Sequence, residues 1–197
     1  VNNNFIPIVL FDRVSDDINC GKVIIDDFGA AYEATKYLLS EGRKNIILLS
    51  RIDELSVGKL RVKGYLKALD DDATYKEEPN CITISHDESI EERIETLLTK
   101  NKKIDGIVAV DNTTGVIALH KALKLNIDVP KDLSIIGFSD ENVLQFTDPK
   151  LSTVSQHTLD IGKASVEMLI NKLKDKSSVQ NTTKTIKAKL ILRGTTK

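Results

Sequence analysis

Short, largely apolar runs alternate along this chain with longer stretches whose apolar residues recur every three or four positions. That alternation limits the fold more than any other feature. The runs are residues 6–11 (IPIVLF), 46–49 (IILL), 81–84 (CITI), 107–110 (IVAV) and 135–138 (IIGF). With almost no polar residue to turn toward water, such a run suits a strand covered on both faces. Helical spacing covers residues 29–41, 59–69, 89–100 and 113–125, with a later helix over 159–174. Val62, Tyr65, Leu66 and Leu69 share one face of the second of these. Ile90, Ile94, Leu97 and Leu98 share a face of the third, and Ile161, Ser165, Met168 and Leu169 a face of the last. Gly42 stands where the first helix needs a C-terminal cap. Strand and helix alternating at this spacing predict right-handed crossovers on a parallel sheet, so the class is α/β. Residues 185–192 (TIKAKLIL) alternate apolar with polar and predict an edge strand, and residues 174–183 (KDKSSVQNTT) a polar surface loop.

At 197 residues the chain is long enough for one large domain or two small lobes, with roughly 70% of the unfolded surface removable from water. Charges of both signs are interspersed, 28 basic against 29 acidic for a net charge of -1. These residues therefore have no general attraction to a phosphate backbone and are not expected to grip DNA. No apolar run approaches the roughly 18 residues of a membrane span, and no basic-then-apolar leader opens the chain. A chain opening on Val1, with no initiator Met, is expected to begin inside a larger protein. Cys20 and Cys81 fit no CxxC or zinc-ligand spacing, so two free thiols in a reducing compartment are expected, with no metal and no cofactor.

The five runs all stop in polar residues: Asp12-Arg13, Ser50-Arg51, Ser85-His86-Asp87, Asp111-Asn112 and Ser139-Asp140. In open parallel sheets ligands bind in the crevice beyond the carboxyl ends of the strands, and such side chains suit a polyhydroxylated or otherwise polar small molecule. The same residue types also cap the helices that follow strands, and at any single position that reading stands equally. An enzyme acting on a small polar substrate is a weaker alternative. Asp111 and Asp140 could form an acid and base pair only at a defined gap. His86, His120 and His157 are isolated, and the chain has no GxSxG, HExxH or GxxxxGK[ST] motif.

Several stretches, in order and spacing, resemble the sensor core of the lactose-repressor and galactose-repressor (LacI/GalR) family of bacterial transcription regulators. They are VLFDR (9–13), VIIDDFGAAYEATKYLLSEGRKNIILLS (23–50), KLRVKGYLKAL (59–69), DGIVAVDNTTGVIALHKALKLNIDVPKDLSIIGFSDE (105–141), PKLSTVSQ (149–156), IGKASVEML (161–169) and LILRGTT (190–196). The resemblance implies a periplasmic-binding-protein-like fold, two Rossmann-like lobes with parallel sheets around a cleft and three crossings between them. Those crossings are expected near residues 44–45, 153–155 and 181–185. Residues 1–44 and 155–180 would then form a partial amino lobe, and residues 45–154 and 181–197 the carboxy lobe. The family's helix-turn-helix headpiece and the first strands of its amino lobe have no counterpart in these residues.

By the same resemblance the chain is the effector-sensing and dimerising part of a cytoplasmic regulator. A sugar-like effector in the interlobe cleft would control operator binding through a headpiece outside this chain, in a homodimer away from any membrane. Asp12 matches the acid that the family's amino lobe offers to ligand, and Arg61 matches the arginine that reaches the effector. In a wet cleft that arginine would hold no core together. Asp111 keeps half of a strand-end Asn-Asp pair whose amide is replaced by Val110. Ser139 replaces the first Asp of a Gly-aromatic-Asp-Asp motif, while Asp140 keeps the second. Ser85 or His86 lies at a ligand-contacting position, and Gln156 and Thr158 lie beside the cleft. Losing an amide and a carboxylate implies an effector other than a simple neutral hexose. The rival within the same fold is a periplasmic sugar-binding protein of an ABC transporter.

Overall fold

A computed structural model describes residues 6–140, 146–174 and 182–197. The described elements are, in order, β1 (Val9–Phe11), β2 (Gly21–Ile25), α1 (Asp27–Ser40), β3 (Ile46–Ser50), α2 (Ser56–Asp70), β4 (Asn80–Thr83) and α3 (Ile90–Lys100). They continue with β5 (Gly106–Ala109), α4 (Thr114–Lys124), β6 (Ser134–Phe138), β7 (Ser152–Ser155), α5 (Thr158–Lys174), β8 (Thr183–Ile186) and β9 (Lys189–Ile191). Two sheets result. A six-stranded sheet has the order β4-β3-β5-β6-β7-β9, parallel except for β9, which runs antiparallel to β7. A three-stranded parallel sheet has the order β1-β2-β8.

The continuous apolar runs are explained by what lies on each face of the larger sheet. Along β3, Ile47 and Leu49 join a core with Ile94, Leu98, Ala118 and Leu119 of α3 and α4. The intervening Ile46 and Leu48 join an opposite core with Ala31, Ala34, Leu38 and Tyr65 of α1 and α2. The same split sends Ile107 and Ala109 of β5 one way, and Val108 of β5 with Val110 just beyond it the other. Each such side chain, fully buried, contributes roughly 1.5–3 kcal/mol, so both faces must be covered. α1 and α2 approach closely at Gly64, where a Cβ would lie 2.2 Å from the Phe28 carbonyl oxygen. The expected cap is present: Gly42 takes φ +82, and its N–H donates to the Leu39 carbonyl at 2.9 Å as α1 ends. A smaller core joins Val23 and Ile25 of β2 to Ile161 and Ala164 of α5.

Several sequence expectations need correction. The amino-lobe boundary expected at residue 44 falls before α1, because the buried alanines of α1 pack on α2 and the six-stranded sheet. The chain passes between sheets at Asp26, whose N–H still pairs with the Ile186 carbonyl at 3.0 Å while its carboxylate caps α1 through Gly29 N–H at 2.8 Å. It passes again at residues 156–157, just beyond the expected 153–155, and again at residues 187–188. Residues 185–192 therefore form parts of two strands, one in each sheet, instead of a single edge strand. Of the run at residues 6–11 only Val9–Phe11 pairs, and β2 is a strand that the five runs omit. Most of the polar loop expected over residues 174–183, from 175 to 181, lies outside the described residues.

Candidate ligand-binding cleft

The carboxyl ends of β1, β3 and β5, the loop after β4 and the second crossing open into one cleft of about 460 Å³. That volume is within the range of small-molecule sites. Phe11, Asp12 and Arg13 come from the three-stranded sheet, and Arg51, Arg61, His86, Asp111 and Asn112 from the larger sheet and its connections. Gln156 and Thr158 enter from the crossing. Two wall residues adopt left-handed backbone or adjoin it: Asp12 has φ 60, and His157, next to Thr158, has φ 52. Non-glycine residues seldom adopt this conformation, and it concentrates at functional sites.

Arg61 lies in the wall of this cleft, yet its guanidinium is largely committed to protein partners. Nε donates to Asp27 Oδ1 at 2.7 Å, one terminal nitrogen to the Val110 carbonyl at 2.6 Å and the other to Gln156 Oε1 at 2.8 Å. The fork also stacks 4.5 Å from the Phe138 ring centroid. Arg61 and Asp27 side chains are only 3% and 2% exposed. The expectation that Arg61 holds no core together is therefore wrong. It ties α2 to the first residue of α1, to the end of β5 and to the second crossing. Burial pushes the Asp27 carboxyl above its ordinary value against the pull of Arg61, and repulsion from Asp12 and Asp26 adds to the rise.

Asp111 serves both readings of a strand end. Its carboxylate accepts from Thr113 N–H at 3.1 Å, Thr114 N–H at 2.9 Å and the Thr114 hydroxyl, securing the first turn of α4, and it still borders the cleft. Across the site, Arg51 places a terminal nitrogen 3.5 Å from His86 Nδ1, while its buried Nε has no hydrogen-bond partner among the described residues.

Of the residues singled out in the sequence, Asp12, Arg61, His86, Asp111 and Thr158 lie together in the lining of this cleft. Ser139, Asp140 and Ser85 are not among the lining residues. Ser139 is buried, with its N–H on the Val154 carbonyl at 3.2 Å. Asp140 turns its carboxylate to the crossing, accepting from Gln156 N–H at 2.8 Å and Thr158 N–H at 2.9 Å. Ser85 bonds within its own turn, its hydroxyl donating to Asp87 and its N–H to Glu88. Sequence reasoning does not pick out Thr113 or the apolar Phe11, Ile52, Val57 and Ile161, which also line the cleft. Phe11 was within reach, since it directly precedes a polar strand end and is exposed on a strand otherwise half-buried.

Residues 35–196 match the periplasmic binding protein-like domain. The chain is similar to the HTH-type transcriptional regulator RegA of Clostridium saccharobutylicum, 30% identical over all of this chain and 59% of that protein. It is 29% identical to the ribose operon repressor of Haemophilus influenzae over 86% of this chain and 52% of that one. The chain thus spans a little over half the length of these curated relatives. Among solved structures, a LacI family transcriptional regulator from Enterococcus faecium with bound ribose superposes at a TM-score of 0.86 with 21% identity, covering 96% of this chain and 70% of that one.

Proposed function

Because the chain belongs to the periplasmic binding protein-like domain family, we propose that it is the effector-sensing part of a LacI-type transcriptional regulator. The observation that carries this reading is the convergence of polar strand ends from two separate sheets on one cleft whose walls are joined by short crossings. A small polyhydroxylated ligand there contacts both walls and favours the arrangement in which they stand closest. It can shift that equilibrium only by its differential affinity for the two arrangements. The names of the relatives, transcriptional regulators and a repressor of a ribose operon, support a regulator over the transporter component and over catalysis. Operator DNA is read by a headpiece outside these residues, and the net charge of -1 gives the chain itself little hold on a duplex. The working form is a cytoplasmic homodimer, the commonest symmetric assembly. Among the described residues no helix is long and apolar enough to cross a membrane.

A thermal-shift panel of pentoses, hexoses, sugar phosphates and sugar acids on the 197-residue chain tests the reading. A ligand at 100 times its dissociation constant adds about 2.7 kcal/mol of stability. At least one member is expected to raise the melting temperature, and Asn112→Ala is expected to reduce that rise. A shift untouched by substitutions in the cleft would contradict the site.

A further inference from the structure

We infer that the cleft is built for an anionic ligand, a phosphorylated or oxidised sugar whose phosphate or carboxylate is held by Arg51 with Arg13 opposite. This rests on the ligand-binding reading of the cleft and narrows it. Five charged side chains other than histidine line the site: Asp12, Arg13, Arg51, Arg61 and Asp111. The charge of Arg61 is met by buried Asp27, and Asp111 accepts hydrogen bonds from uncharged groups of Thr113 and Thr114 in the first turn of α4. Asp12 lies 4.0 Å from Arg13 Nε, a loose and exposed pair. Arg51 has no carboxylate partner among the described residues. One of its terminal nitrogens lies 3.5 Å from His86 Nδ1, and its Nε is buried without a hydrogen-bond partner among the described residues.

Arg51 is therefore the cation of the cleft lining that has no counter-ion among the described residues. A guanidinium partly withdrawn from water gains most from a group that carries full negative charge and two coplanar or tetrahedral oxygens. Sugar hydroxyls meet the first requirement not at all. Arg51 follows β3 of the larger sheet and Arg13 follows β1 of the smaller, so one anion held between them bonds to both walls. The end of α2 nearest the cleft points the same way. No side chain caps its N-terminus, its first turn has no acidic residue, and Val57 of that turn lines the site, so its partial positive charge is available to a ligand.

Calorimetric titration of the chain with matched compounds tests the inference: ribose against ribose 5-phosphate, and glucose against both glucose 6-phosphate and gluconate. The phosphate and carboxylate arms separate the two sources of charge. We expect an anionic member to bind at least about tenfold more tightly than its neutral parent, and Arg51→Met to weaken it by about ten- to a hundredfold. Arg51→Lys should retain part of the affinity, and Arg13→Met gives a second variant should Arg51→Met fail to fold. A neutral sugar binding as tightly as its charged partner, with Arg51→Met and Arg13→Met silent, overturns the anion inference and leaves the cleft as a sugar site. No binding by any of these compounds overturns both.

Discussion

Arg61 Nε donates to Asp27 Oδ1 at 2.7 Å, joining α2 to the first residue of α1, just past the first crossing between sheets. Both side chains are buried, and the same guanidinium reaches Gln156 in the second crossing. One arginine thus fixes two of the three places where the chain passes between sheets.

Removing that arginine leaves a carboxylate buried and unpaired. Arg61→Met is therefore expected to cost about 3–5 kcal/mol, which for a chain of this size lowers the melting temperature by about 10 °C. Urea titration checks it. The double variant Arg61→Met with Asp27→Asn should recover part of the loss, because the stranded charge is gone. A single-variant loss below about 0.5 kcal/mol, the range of ordinary surface substitutions, would mean that the pair carries no structural weight.

Tyr65 is fully buried with its hydroxyl donating to the Ile46 carbonyl at 2.9 Å and accepting from Asn80 N–H at 3.1 Å. Tyr65→Phe keeps the ring and strands both backbone groups, at an expected cost of roughly 1–3 kcal/mol by denaturant titration. Amide exchange at Asn80 should quicken in the same variant.

Gly64→Ala should be destabilising by about 1–3 kcal/mol, because the added methyl meets the Phe28 carbonyl oxygen and Tyr32 nitrogen of α1. An unchanged midpoint would require the two helices to part without loss, against the close packing of their shared core.

Asp140 supplies a pH dependence. Burial alone raises its carboxyl pKa, but hydrogen bonds from Ser155, from the Thr158 and Gln156 N–H groups and from the Thr158 hydroxyl more than offset it, and the net shift is downward. The ionised group therefore stabilises the fold above its unfolded value of about 3.9, and that contribution is lost as pH falls through the lower folded value. Asp140→Asn should be less stable than the parent at neutral pH, with the difference closing in acid. A difference that stays constant with pH would show that the charge is not what holds the crossing.

The α/β class was legible because β3, β5 and β6 of the large sheet split their residues between two covered faces, which leaves a nearly uninterrupted apolar run. β2 was harder to read, since Lys22 interrupts Gly21–Ile25 and only Gly21, Val23 and Ile25 are buried. The switch at residues 187–188 carries no local signal. Ile186 packs in the smaller core while Leu190 packs in the larger, and the alternation TIKAKLIL is the same for one strand or two. Polar strand ends located the cleft through Asp12, His86 and Asp111. They could not say how Asp140 would be used, because Asp111 bonds locally to Thr113 and Thr114 while Asp140 bonds to Gln156 and Thr158, partners that only the tertiary fold brings to it.

The proposed small polar ligand touches both sheets across this cleft at once. Hydrogen–deuterium exchange on the chain, with and without a saturating compound found by thermal shift, checks that contact. Protection is predicted at the ends of β1, β3 and β5 and at the crossing, around Arg13, Arg51, Asn112 and Thr158, on both walls together. Protection confined to one sheet, or centred on a distant surface such as α3, would contradict it.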